Sequence, residues 1–299
     1  MLFPVSGVET PVWLPPIVAF GISFFTAMGG VSGAFLLLPF QVSVLGYFAP
    51  SVSATNQVFN IVAIPGGVYR YIKEGRMLWP LTRAVIIGTL PGVFIGAWVR
   101  IEYLPDPKNF KLFAGVVLLY IGVRIILDIV KSRAIPVDQR PLAVSGGNRS
   151  VRVVHADSRQ VEFHFNSEAF YFRPSAVCML CFLVGIVSGV YGVGGGAMVA
   201  PFFVSILGLP VYAVAGAVLL GTFITSVAGV IFYQILALQY AQMSVAPDWC
   251  LGGLFGLGGI AGIYLGARCQ KYVPARVIKG MLCACVLFVA GKYILGFFL

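Results

Sequence analysis

Asn56 and Asn60 stand four residues apart in an otherwise largely apolar stretch, with Gln57 beside the first. That spacing puts the two asparagines on one helical face. Uncharged amides carry both donors and acceptors, and lipid penalises them, so they should point inward toward a partner or a pore. A second feature lies before and after them. Glycine-rich stretches at 29–34 and 192–196 interrupt long apolar segments. A helix that starts after such a break directs its positive end and its free N–H groups at the gap. Residues without side chains let an anion approach those amides. The chemistry on offer is recognition of a small anion by main-chain and amide groups. The candidate binding residues are Gly30, Ser32, Gly33, Thr55, Asn56, Gln57 and Asn60 in the first half, and Tyr191, Gly194, Gly195, Gly196 and Thr222 in the second.

Catalysis has no comparable set. No cluster of His, Asp, Glu or Cys stands in the apolar segments, so the sequence argues against an enzyme and supplies no catalytic residue, no metal site and no cofactor site. Cys178 and Cys181 form a CxxC, but no second pair or histidine completes a ligand set, and they read as buried thiols. His155 and His164 are the only histidines and read as polar residues of a hairpin. Arg83 and Lys292 lie toward segment ends, where snorkelling to the interface competes with any anion role. Arg124 and Asp128, four apart, should pair near a membrane face.

The two glycine stretches are copies. A shift of 162 positions lays residues 30–46 on 192–208, and nine of the seventeen then match, including Pro39 with Pro201 and Phe40 with Phe202. The copies sit in a chain that is 59% hydrophobic and 10% charged, with a mean hydropathy of +0.95. Soluble domains carry about 25% charged residues, so this chain belongs in a lipid bilayer. Its net charge of +10 reflects basic connections rather than nucleic-acid binding. The first sixteen residues hold no basic stretch ahead of an apolar one, so no cleavable signal peptide is expected.

Eight apolar segments follow, at about 12–46, 51–71, 78–99, 110–130, 174–208, 211–238, 249–267 and 277–298. They predict an all-α polytopic membrane protein of two repeats of four segments. Residues 1–131 form the first repeat, 132–173 a polar insert with strand-like stretches that suggest one β-hairpin, and 174–299 the second repeat. The first segment of each repeat is too long for one span. As a helix, 174–208 would reach roughly 52 Å against a hydrocarbon core of about 30 Å. It is either a broken span or a re-entrant hairpin. Basic residues in the connections separate these options. Eight plain spans put ten on one side and seven on the other, whereas two re-entrant segments put fourteen against three. The second arrangement gives the repeats inverted pseudo-twofold symmetry, with the 69–77 connection, the insert and the 268–279 connection in the cytoplasm. Inverted repeats with a broken helix in each are the sequence pattern of a transporter with a central site.

At these residues the chain resembles the TauE/SafE family, also called the 4-toluene sulfonate uptake permease family. The resemblance rests on the duplicated break followed by Pro-Phe, the Ser-Ala-Thr-Asn run at 53–56, the eight segments and the length. It covers all but the insert. The chain departs from the family at Gly216-Ala217-Val218, where a Gly-Thr-Ser run is common, so no substrate contact is carried over to Ala217 or Val218. The resemblance implies a bacterial inner-membrane transporter, more often an exporter, of sulfite, sulfoacetate or other organosulfonates. The expected partners are therefore a small sulfur-containing anion and the lipid bilayer. Alternating access around the two breaks is the expected mechanism; the alternatives are a channel-like anion pore and a membrane-embedded enzyme. Substrate identity, direction, coupling ion and oligomeric state are not encoded in any residue pattern found.

Overall fold

The protein is described by a computed structural model over residues 1–28, 32–134, 151–157, 159–165, 168–205, 207–269 and 275–298. Gly30 lies outside these residues, as do the structures of 29 and 31. The side chain of Asp128 is outside them too, so its expected pair with Arg124 is not described; Arg124 donates to the Tyr120 hydroxyl at 2.9 Å.

The chain opens with a two-residue-strand hairpin, β1 (Leu2–Phe3) and β2 (Val8–Glu9). Ser6 pins it to Asp248 Oδ2, through its hydroxyl at 2.8 Å and its N–H at 3.2 Å. The first apolar segment is two helices, α1 (Leu14–Met28) and α2 (Ala34–Ser43). The second is α3 (Ser51–Ala63) and α4 (Pro65–Lys73), because Pro65 has no N–H to continue the ladder. Then come α5 (Trp79–Glu102) and α6 (Pro107–Ala134). After the insert follow α7 (Pro174–Tyr191), a short α8 (Ala200–Ser205), α9 (Val211–Gln239), α10 (Trp249–Cys269) and α11 (Ala275–Phe298). Among the described residues, six helices are long and apolar enough to cross a membrane: α5, α6, α7, α9, α10 and α11. The helical bilayer protein expected from composition is what the chain forms.

The insert exceeds one hairpin. Strands β3 (Arg152–Ala156), β4 (Val161–Phe165) and β5 (Glu168–Phe172) form an antiparallel sheet in that order. Its aromatic face, with Phe163 stacked on Phe170 at 5.6 Å, joins the main core. Val151 N–H donates to Gly75 O at 3.3 Å, so the sheet leans on the connection after α4.

Helix packing runs along small-residue stripes. Gly88, Gly92 and Gly96 of α5 face, in ascending order, Cys178–Cys181, Phe182–Ile186 and Ile186–Val190 of α7. Close approach of two backbones holds them: a β-carbon on Gly92 would sit 2.4 Å from Phe182 O. Gly258, Gly262 and Gly266 of α10 likewise face Pro16, Phe20 and Phe24 of α1. Both pairs ascend together, so both are parallel. By the same test α3 runs parallel to α10, where Gly252 meets Val58 and Gly256 meets Val62, and α9 runs parallel to α5, where Gly221 meets Val85 and Phe232 meets Phe94. The order reverses at α3 against α9, where Gln57 meets Gly229 and Asn60 meets Ser226. It also reverses at α6 against α11, where Gly115 meets Tyr293 and Gly122 meets Leu287. Thus α1 and α3 point one way along α10, and the chain must turn back between them. The same holds for α7 and α9 along α5.

Candidate functional site

The two breaks meet at the crossing of α3 and α9. Asn56 Nδ2 donates to Ala34 O and to Gly192 O, each at 3.0 Å. Its Oδ1 accepts from Gln41 Nε2 at 3.3 Å. One turn on, Asn60 Nδ2 donates to Val193 O at 2.8 Å and Ser226 Oγ at 3.2 Å, and its Oδ1 accepts from Ser32 Oγ at 3.1 Å. Each asparagine therefore holds the first break to the second, and its two N–H donors are both spent. All of these side chains are buried. Ser32 also accepts the Ala34 N–H at 3.3 Å, satisfying the first free N–H of α2 while reaching Asn60. Tyr191 closes the same junction by donating its hydroxyl to Phe35 O at 2.9 Å.

The glycines serve fit. Gly192 and Gly194 have φ of +78° and +82°, which L side chains rarely adopt. A β-carbon on Gly195 would lie 2.4 Å from Thr89 Cβ, and one on Gly196 would lie 2.3 Å from Val218 O. One on Gly194 would meet Ser226 Oγ at 2.7 Å, and one on Gly33 would meet Ser23 Oγ at 2.8 Å. The Gly195 N–H donates to Thr225 Oγ1 at 2.9 Å. Thr222 donates back to Val218 O at 2.8 Å while its methyl and hydroxyl line Gly194 and Gly196. Ser32, Gly33, Asn56, Asn60, Tyr191, Gly194, Gly195, Gly196 and Thr222 are thus brought together around the paired breaks.

Two predicted residues make no hydrogen bond across the breaks. Thr55 faces the other way and accepts the N–H of Asp248 at 2.9 Å, while its oxygen lies 3.0 Å from the Tyr47 hydroxyl. Asp248 in turn caps α10 by accepting the Leu251 N–H at 3.0 Å. Gln57 lies against Gly229, fully buried, and neither its amide nitrogen nor its amide oxygen has a partner. Buried amides are almost always hydrogen-bonded, so an amide without a partner among the described residues is an exception.

Other residues were not singled out by type and spacing. Gln41 is an amide inside an apolar segment, a signal that was available. Thr89 has no sequence signature. Arg100 counted as a loop residue because the apolar run stops at 99, but α5 continues to Glu102 and buries it completely. Arg83 and Lys292 are exposed on the outside of the bundle. So is Gln234 of α9.

The family described as Sulfite exporter TauE/SafE matches residues 16–293. A "Probable membrane transporter protein" of Xylella fastidiosa (strain 9a5c) is 25% identical over 284 residues, covering 91% of this chain and 92% of the relative. The "Probable membrane transporter protein YunE" of Bacillus subtilis (strain 168) is 23% identical over 140 residues, 47% of this chain and 45% of that one. No solved structure matches. The match of the family runs from α1 into α11 and takes in both breaks and the α3–α9 crossing. This chain is an integral membrane protein and belongs to the sulfite exporter TauE/SafE family.

Proposed function

We propose that the protein moves a small sulfur-containing anion, such as sulfite or an organosulfonate, across the bacterial plasma membrane, in the export direction. The family's description supports the substrate class. One observation carries the site: two broken segments, one from each half, are held together at the α3–α9 crossing beside a buried glutamine whose amide has no partner. A sulfonate that reached Gln57 would supply the missing acceptor for its N–H groups. The glycines make the junction close enough to exclude lipid, and the asparagines hold it shut.

The helix directions support inverted repeats. Exchanging the halves maps α1 on α10 onto α7 on α5, and α3 on α10 onto α9 on α5. The α3–α9 and α6–α11 pairs, both antiparallel, map onto themselves. Each half contributes one re-entrant first segment and three crossings. The moving bodies in this reading are not the two halves of the sequence. One gathers α1, α3 and α10, the other α5, α7 and α9, and they slide at the α3–α9 seam.

Two measurements test this. Cysteines at Lys73 and Gln242, both exposed, should be labelled by an impermeant maleimide from opposite sides of the membrane, with 73 cytoplasmic. Labelling of both from one side would remove the inverted arrangement. In proteoliposomes, the purified protein should exchange labelled sulfoacetate, and unlabelled sulfite should compete better than a carboxylate of similar size. Equal competition by the carboxylate, or no exchange at all, would remove the substrate assignment.

A further inference from the structure

Among the described residues, Arg100 has no counter-charge. It is 0% exposed, in the last turn of α5. Its two terminal nitrogens donate to Leu104 O and, at 3.0 Å, to Phe48 O. The guanidinium lies over the Phe110 ring, 3.7 Å from its centroid. Its Nε has no partner. Ion pairs among the described residues, such as Arg70–Glu74 and Arg76–Glu74, do not include Arg100. The nearest carboxylate in sequence, Glu102, accepts from the Tyr240 hydroxyl at the exposed surface. Carbonyl dipoles and one aromatic ring do not neutralise a buried cation, and burying one without its counter-ion is costly. If Arg100 only pinned the two carbonyls, a neutral donor would do so without that cost.

A second unsatisfied group faces it. Tyr233 of α9 packs with Ala97 and Ile101, the residues on either side of Arg100 along α5. Its hydroxyl is fully buried and has no hydrogen-bond partner. Tyr233 stands four residues beyond Gly229, against which Gln57 lies. Arg100 near the end of α5, Tyr233 on α9 and Gln57 on α3 therefore lie on three helices that pack together, with Tyr233 one turn from the level of Gln57. Each has donor capacity that the protein leaves unused.

We infer that Arg100 and Tyr233 form an anion-binding station near the end of α5, where a sulfite or sulfonate head group supplies the missing counter-charge before or after it meets Gln57. The inference rests on the anion-transport reading and assigns it a charged residue. The guanidinium presents a planar set of donors to the oxyanion, and the phenol adds one more. No bond is made or broken.

The test is calorimetric titration of detergent-purified protein with sodium sulfite and with methanesulfonate, alongside thermal unfolding. For Arg100→Gln the affinity should fall by about tenfold or more, and for Arg100→Lys by a smaller factor. Tyr233→Phe removes a hydroxyl that has no partner. It should bind several-fold more weakly, roughly three to ten times, with its unfolding midpoint unchanged or raised. Arg83→Gln, on the exposed surface, should match the parent. If Arg100→Gln does not fold, Arg100→Lys and Tyr233→Phe decide. Folded Arg100 and Tyr233 variants that bind as the parent does would overturn the station while leaving the anion reading intact. A parent that binds neither anion would overturn both.

Discussion

Asn60→Ala should lower stability by roughly 2–4 kcal/mol, and Gln57→Leu by close to nothing. Asn60 makes three side-chain bonds across the two breaks. Its loss strands Val193 O, the Ser226 hydroxyl and the Ser32 hydroxyl in a buried site. Each stranded group costs about 1–3 kcal/mol in a soluble core, and less in a membrane, where single bonds average about 0.6 kcal/mol. Gln57 makes no bond, so leucine, of similar volume, removes nothing and adds apolar fill. Function should divide the other way. A hydrogen bond to a charged group contributes about 1.5–3 kcal/mol, so Gln57→Leu should slow sulfonate exchange about tenfold or more. Unfolding of the purified variants and exchange in proteoliposomes measure the two effects. An Asn60→Ala protein as stable as the parent would mean that the asparagine does not hold the breaks together.

The outcome at these two neighbours shows what could be read from the chain. The four-residue spacing of Asn56 and Asn60, and the duplicated glycines, point to the junction. Spacing does not reveal what an amide touches. Asn56 and Asn60 bind backbone 22, 133 and 136 residues away and the Ser32 hydroxyl 28 away, and Gln57, one position on from Asn56, has no partner. The stripe Gly88, Gly92, Gly96 was visible, but its partner in the other half and their parallel sense were not, since small residues specify closeness and not identity. Arg100 was lost to a boundary. Helix ends are uncertain by a turn, and here that turn decided whether a cation sits in water or in the core. The third strand of the insert was missed because Phe170, Tyr171 and Phe172 adjoin an apolar helix and read as its approach.

Gly195→Ala should destabilise the protein by about 1–3 kcal/mol, and Thr89→Gly should recover much of that loss in the double variant. The new methyl would lie 2.4 Å from Thr89 Cβ and 2.8 Å from Thr89 Oγ1, closer than such contacts allow. Here the obstacle is a side chain, and trimming it makes room. Thr89→Gly alone costs about 1 kcal/mol as a helical glycine. Gly92→Ala is the control: its methyl would meet the Phe182 carbonyl oxygen at 2.4 Å, a backbone atom that no trimming removes. Thermal unfolding of the four variants gives the coupling between positions 89 and 195 directly. Simple additivity would show that Thr89 is not what requires glycine at 195. Loss of substrate binding without loss of stability in Gly195→Ala would return that position to the anion.

The parallel seam between α1 and α10 has a consequence for biosynthesis. Pro16, Phe20 and Phe24 lie against Gly258, Gly262 and Gly266, roughly 240 residues later in the chain. At roughly 5–20 residues per second, a ribosome needs on the order of 10–50 s to deliver that partner. Until then α1 sits in the bilayer with an aromatic and proline-bearing stripe against lipid, and neither half of the chain can complete its packing alone. The nascent protein must hold its first helix in reserve until α10, in the last third of the chain, closes the seam.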